Sequence, residues 1–266
     1  YFSLILSLLV LLTSTPILAE EVLVSENNEI EDHKITSFGE APMLKEMVEK
    51  GDLPPVEDRV PAEPFVVEPY EGIGNYGGTA SIATPRAMVS GADGILMGDA
   101  YSTFVQSTPQ ANDIEVSFAK KVESSTDKTT WTIHLREGVK WSDGEPFTTE
   151  DIMFWYNDVL LNQELTPVIG DGYKARGEVM DLTKIDKYTF EIKFAAPKPY
   201  FLNRLTTTSD FLYPKHYFKQ YHPKYTSEEK LQEKVQESGY DHWYQLFDSQ
   251  NDGWGHVSGV IGRPVL

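Results

Sequence analysis

Residues 131–161, "WTIHLREGVKWSDGEPFTTEDIMFWYNDVLL", switch their apolar period from two to 3.6 across one turn. That switch dictates a strand, a sharp reversal and a buried helix, in that order. Trp131, Ile133 and Leu135 alternate with Thr132, His134 and Arg136, the pattern of a half-buried strand with His134 and Arg136 outward. "SDGEP" supplies the turn, sharpest at Asp143-Gly144. Thr148 or Thr149 caps the helix, and Glu150 and Asp151 in its first turn suit the positive end of the helix dipole. Ile152, Trp155, Tyr156, Val159 and Leu160 fall on one face, Met153 and Phe154 widen it, and Pro167 fits the end. Residues 187–194 repeat the strand period, with Tyr188, Phe190, Ile192 and Phe194 inward, and make a natural antiparallel partner.

Around this unit the 266 residues are long enough to bury a sizeable core. The chain starts at Tyr1 rather than Met and stops at "GRPVL", which reads as a piece cut at both ends. Its first 19 residues carry an apolar run from Phe2 to Leu12, then small and turn residues up to Ala19. This reads as a secretory signal peptide; the run is short for a membrane span of roughly 20 residues. Residues 20–71 form an acidic arm, Pro-rich toward its end, with 15 Asp and Glu against 4 Lys and Arg. One amphipathic helix is expected at Pro42–Lys50, and the remainder reads as extended arm or linker. The arm therefore carries most of the net charge of −18, and the body has no basic stripe for phosphates, which disfavours nucleic acid. With no cysteine, thiol nucleophiles, thiolate metal sites and disulfides are excluded, and an extracytoplasmic protein with a large core is consistent.

Chemistry is hard to find. Gly72, Gly74 and Gly77 spell G-x-G-x-x-G, but a Pro-rich arm precedes them and a strand-like "TASIA" follows, so they read as a turn rather than a pyrophosphate cradle. The six histidines (33, 134, 216, 222, 242, 256) show no metal-ligand spacing and read as scattered surface or strand-face residues. No G-x-S-x-G elbow is present. Glu150 and Asp151 are better explained as first-turn helix residues than as a catalytic pair, and Trp131, Trp141, Trp155 and Tyr156 as core. Further on, "TSEEKLQEKVQE" offers a capping box from Thr226 to Glu229 before a solvated helix, and "DHWYQLF" continues helical.

The block "DKTTWTIHLREGVKWSDGEPFTTEDIMFWYNDVL" resembles the signature of the family 5 extracellular solute-binding proteins, the oligopeptide, dipeptide and nickel receptors of ABC importers. Trp131, Leu135, Arg136, Gly138, Val139, Lys140, Trp141, Asp143, Gly144, Pro146, Phe147, Thr148 and Asp151 match its pattern. "YGGTASIA" resembles the family's opening strand, and "DKYTFEIKFAAPKPYFLNRL" the strand and helix after the signature. The resemblance implies an α/β, two-lobed periplasmic-binding-protein fold of type II. Lobe I would take residues 72–92 and 200–266, with an inserted subdomain at 93–199 and lobe II beyond the chain. It further implies a periplasmic, monomeric receptor without cofactor or catalysis, closing on a small molecule or peptide and docking on ABC permease subunits at the membrane. Thr84, Pro85, Arg86, Thr208 and Ser209 are the candidate ligand contacts, with Arg86 placed to meet a peptide carboxylate. A secreted hydrolase, its catalytic residues outside this stretch, is the competing expectation.

Overall fold

The computed structural model describes residues 38–61, 63–66, 72, 74–77, 103–108, 111–141, 143–208 and 210–250. The signal-peptide region, "TASIA" and the segment 84–86 lie outside them.

The helix foreseen at Pro42–Lys50 (α1) forms with those bounds, and Gly51 closes it with φ +79, a left-handed C-cap that a side chain rarely adopts. A short helix α2 (Val56–Arg59) follows, tied back to the start of α1 through the Arg59–Glu40 pair. Next come a small antiparallel ribbon, β1 (Val105–Ser107) with β2 (Ile114–Val116), and then the central sheet.

That sheet has the order β3-β4-β8-β7, antiparallel throughout, from β3 (Ala119–Ser124), β4 (Thr130–Leu135), β8 (Thr189–Lys193) and β7 (Asp181–Lys184). The two strands foreseen as partners do pair, with Trp131 opposite Ile192 and Ile133 opposite Phe190. All four of these residues are buried in one apolar core with Val122, Leu135 and Leu182. Each such side chain contributes roughly 1.5–3 kcal/mol by leaving water.

The reversal after β4 turns at Gly144, φ +90, with its N–H bonded to the Trp141 carbonyl. Helix α3 (Thr149–Phe154) starts at Thr148, and the cap is reciprocal. The Thr148 hydroxyl accepts from the Glu150 N–H, and the Thr148 N–H donates to Asp151 at 3.0 Å. The α period then stops. Residues Trp155–Leu160 widen into a π-helix, so the expected continuous α-helix is two coils in series. The wider coil brings Asp158, which an unbroken α period leaves off the apolar face, into the interior at 5% exposure.

A one-turn 3-10 helix (Asp171–Tyr173) leads into the hairpin β5 (Lys174–Ala175) and β6 (Glu178–Val179). After β8 come α4 (Phe201–Leu205), α5 (Lys215–Phe218), α6 (Glu228–Glu237) and α7 (Trp243–Gln250). The capping box foreseen at Thr226–Glu229 does not form. The N-cap falls one residue later, at Ser227, which makes no side-chain capping bond, and the Thr226 hydroxyl donates to the Lys219 carbonyl.

Two readings of β4 and the arm change together. Arg136, expected outward, is 1% exposed. Its Nε donates to the Ser117 carbonyl and its Nη1 to the Glu63 carbonyl, both at 2.9 Å, while the guanidinium lies over Phe65. The end of the acidic arm is thus anchored on the sheet by a buried cation, with Lys140 holding the Asp58 carbonyl nearby at 2.6 Å. A period-two pattern could not show this, because the arm that covers Arg136 lies over 70 residues earlier.

A polar corner between the hairpin and helix α4

Helix α4 carries Phe201, Leu202 and Leu205 into the core, which leaves Arg204 on its remaining side. There the guanidinium runs past the 3-10 turn. A Cβ on Gly172 would sit 2.4 Å from the Arg204 Cζ, so a side chain there would push the flexible end of the arginine aside. The guanidinium then lies 4.5 Å from the centre of the Tyr173 ring. The Tyr173 hydroxyl donates to Asp210, and Arg204 Nη2 reaches the same oxygen, Asp210 Oδ2, at 3.4 Å. Burial, then the neighbouring Asp210 carboxylate, push the Tyr173 hydroxyl up to about 12. Beneath this, Lys198 Nζ donates to the carbonyls of Asp171 and Lys174 and pins the turn; burial and the Arg204 charge lower its pKa.

Thr208 belongs to this corner. It is buried, its N–H donates to the Arg204 carbonyl at 3.1 Å, and its hydroxyl accepts from the Asp210 N–H at 3.4 Å. Thr208 therefore shapes the turn that presents Asp210. Thr84, Pro85, Arg86 and Ser209 lie outside the described residues. Gly172, Tyr173 and Arg204 carried no signal in the sequence, since their meeting depends on tertiary packing of a hairpin against a helix.

Three other polar groupings are present. His222, expected at the surface or on a strand face, is 4% exposed because Phe154, Tyr225, Trp243 and Phe247 surround its ring. Its Nδ1 accepts from the Lys224 N–H at 3.2 Å, which leaves Nε2 to donate to the Asp158 carbonyl at 3.1 Å. Burial lowers its pKa. The Asp158 carboxylate is held by Lys224 Nζ and the Tyr225 hydroxyl, both at 2.5 Å. Glu150 faces Lys184 and Lys215, whose hydrogen bonds bring it down to about 2. Asp151, in contrast, is raised by burial even though two backbone N–H groups donate to it. Finally, the outer face of the sheet forms a shallow hollow of about 630 Å³, lined by His134, Lys121, Lys187 and Asp186 among others. His134 lies on that face as foreseen, bonded to Glu123 at 2.9 Å.

Among the described residues no three His, Asp or Glu side chains gather to hold a metal, and no helix is long and apolar enough to cross a membrane.

Residues 113–240 match the model of the bacterial extracellular solute-binding proteins, family 5. That stretch belongs to the family. The α-galactoside-binding periplasmic protein of Rhizobium meliloti (strain 1021) is 32% identical over 195 residues, which are 66% of this chain and 28% of that protein. Among solved structures, an oligopeptide-binding protein OppA matches at 35% identity and TM-score 0.72, over 84% of this chain and 34% of that one. The periplasmic binding protein MelB from Agrobacterium fabrum C58, in complex with stachyose, matches at 29% identity and TM-score 0.60, over 85% and 34%. The fold is thus the mixed α/β fold of periplasmic binding proteins, of which the described family 5 segment supplies one portion. The chain spans about a third of the length of the relatives it matches.

Proposed function

We propose that the whole protein is an exported solute receptor of an ABC importer. It captures a ligand between two hinged lobes and presents the closed form to membrane permease subunits. The observation that carries this reading is agreement in both sequence and fold with an oligopeptide-binding protein across most of the chain. Residues 1–19 act as the export signal in this scheme. Lobe I comprises 72–92 and 200–266, with 93–199 as its inserted subdomain, and the protein works as a monomer. Capture needs no covalent step. Moving an open–closed equilibrium from 1:99 to 99:1 takes about 5.5 kcal/mol of differential affinity, and a micromolar ligand has about 8 kcal/mol in total.

A peptide is the proposed ligand, with Thr84, Pro85, Arg86, Thr208 and Ser209 bordering the cleft. A second reading, an oligosaccharide, is favoured by the α-galactoside-binding relative and by the stachyose complex. A secreted hydrolase draws no support from these relatives, which are binding proteins by name. Thermal-shift screening of the full-length protein against peptide pools and against stachyose separates the two ligand classes. A rise in Tm of several degrees with peptides supports the first, and a rise with stachyose alone replaces it by the second.

A further inference from the structure

We propose that the Asp143-Gly144 bond is a site of spontaneous succinimide formation, and that His216 is the residue that holds the reaction back. This holds whichever ligand the receptor takes.

An aspartyl-glycine bond can rearrange without a catalyst. The glycine main-chain nitrogen attacks the aspartate Cγ, a new N–C bond closes a five-membered succinimide, and the amide proton leaves with the carboxyl hydroxyl as water. Water then reopens the ring at either carbonyl. Opening at the main-chain carbonyl leaves isoaspartate, with one extra methylene in the backbone. One water is released and one consumed, so no other reactant is needed. The reaction requires an open turn, a nitrogen unhindered by a side chain, and a carboxyl free to swing onto it.

Among the described residues two Asp-Gly bonds occur, 143–144 and 171–172, and they differ in surroundings. Gly172 lies in the 3-10 turn beneath Arg204, whose Cζ would stand 2.4 Å from an added Cβ. Gly144 sits in an exposed turn at φ +90, with nothing within 4 Å of where a Cβ would be. The open site is therefore 143–144. Two contacts oppose the chemistry there. His216 Nε2, reaching in from α5 and 73 residues later in the chain, donates to Asp143 Oδ2 at 2.7 Å. The Glu145 N–H donates to Asp143 Oδ1 at 3.2 Å. Both oxygens are engaged, so the carboxyl is not free to close on the next nitrogen. His216 is the contact that can be removed without touching the turn itself, and its side chain is 27% exposed.

The product would matter to the fold. Across this turn Lys140 bridges Pro146, and the Trp141 N–H donates to the Glu145 carbonyl at 2.7 Å. A methylene inserted between residues 143 and 144 breaks that register just ahead of the Thr148 cap.

The test incubates the full-length parent, His216→Ala and His216→Gln in water enriched in heavy oxygen, then locates the label by peptide mass spectrometry after digestion in ordinary water. Each passage through succinimide leaves one heavy oxygen in the residue. The parent should gain label at Asp143 faster than at Asp171. His216→Ala should raise the rate at Asp143 severalfold and leave Asp171 unchanged, whereas His216→Gln, whose amide can still donate, should stay near the parent. Labelling of Asp143 no faster than Asp171 in the parent overturns the site. An unchanged rate at Asp143 in His216→Ala, or an equal rise at both aspartates from general loosening, overturns the restraining role of His216.

Discussion

The sheet with its capped helix and the corner around Arg204 are built from the same chain by opposite rules. In the first, strand pairing and a reciprocal cap hold the parts together: Asp151 takes two backbone N–H groups, and Trp131, Ile133, Phe190 and Ile192 interlock across two strands. In the second, side chains from a hairpin, a turn and a helix meet: one carboxylate is shared by a tyrosine and an arginine, and the arginine packs against a glycine. Regularity signals a scaffold whose energy is already spent on itself.

The contrast breaks most visibly in the core. Trp131→Ala should cost about 3–5 kcal/mol in chemical unfolding of the full-length protein, from lost burial and the cavity left behind. A loss under about 1 kcal/mol would show that the sheet is not the stabilising element. Asp151→Ala comes next. It removes half of the reciprocal cap and strands the Thr148 and Lys215 N–H groups, for an expected loss of about 1–2 kcal/mol. Gly172→Ala in the corner should, by contrast, cost less than about 1 kcal/mol in unfolding, because the added methyl displaces the flexible end of Arg204 rather than any core side chain. An unfolding loss as large as that of Trp131→Ala would place Gly172 in the scaffold instead.

Acid should separate the regions again. His222 is held neutral, with one ring nitrogen accepting and the other donating, and its pKa lies below the ordinary 6.5. The unfolded chain takes up that proton near 6.5 while the folded chain does not. Stability from this group is therefore complete above 6.5 and falls as pH drops through that value toward the folded-state pKa. A pH series of Tm should show the fall, and His222→Gln, which can still accept and donate, should flatten it. The smallest effect is expected at Glu150→Gln. Its pairs with Lys184 and Lys215 are partly exposed and screened by salt, so the loss should be about 0.2–1 kcal/mol, measurable near neutral pH at low ionic strength and shrinking as salt is added.

What the sequence made legible follows the same divide. Strand pairing at 130–135 and 189–193, the cap at Thr148 and helix α1 are encoded by residues close to one another, so period and turn chemistry suffice to read them. Arg136 looked like one more outward residue because its cover, the stretch around Glu63, is remote in sequence. The π-helix escaped because its residues keep an apolar spacing close to that of an α-helix, and only Asp158 inside it departs. Thr226–Glu229 match a capping box by letters, but the helix is capped one residue later, at Ser227, and the Thr226 hydroxyl donates to the Lys219 carbonyl. At the corner, Thr208 is one of the candidate ligand contacts, whereas Tyr173, Arg204 and Asp210 meet through packing that no local pattern carries.

The most direct test of a receptor that holds its ligand unchanged is a single calorimetric titration of the full-length protein with peptide pools, followed in a separate cell by stachyose. Discrete heats that saturate near one ligand per protein and return to baseline after every injection are the predicted result. A sustained heat flow after each injection, growing with added compound, would mean turnover and would contradict the account.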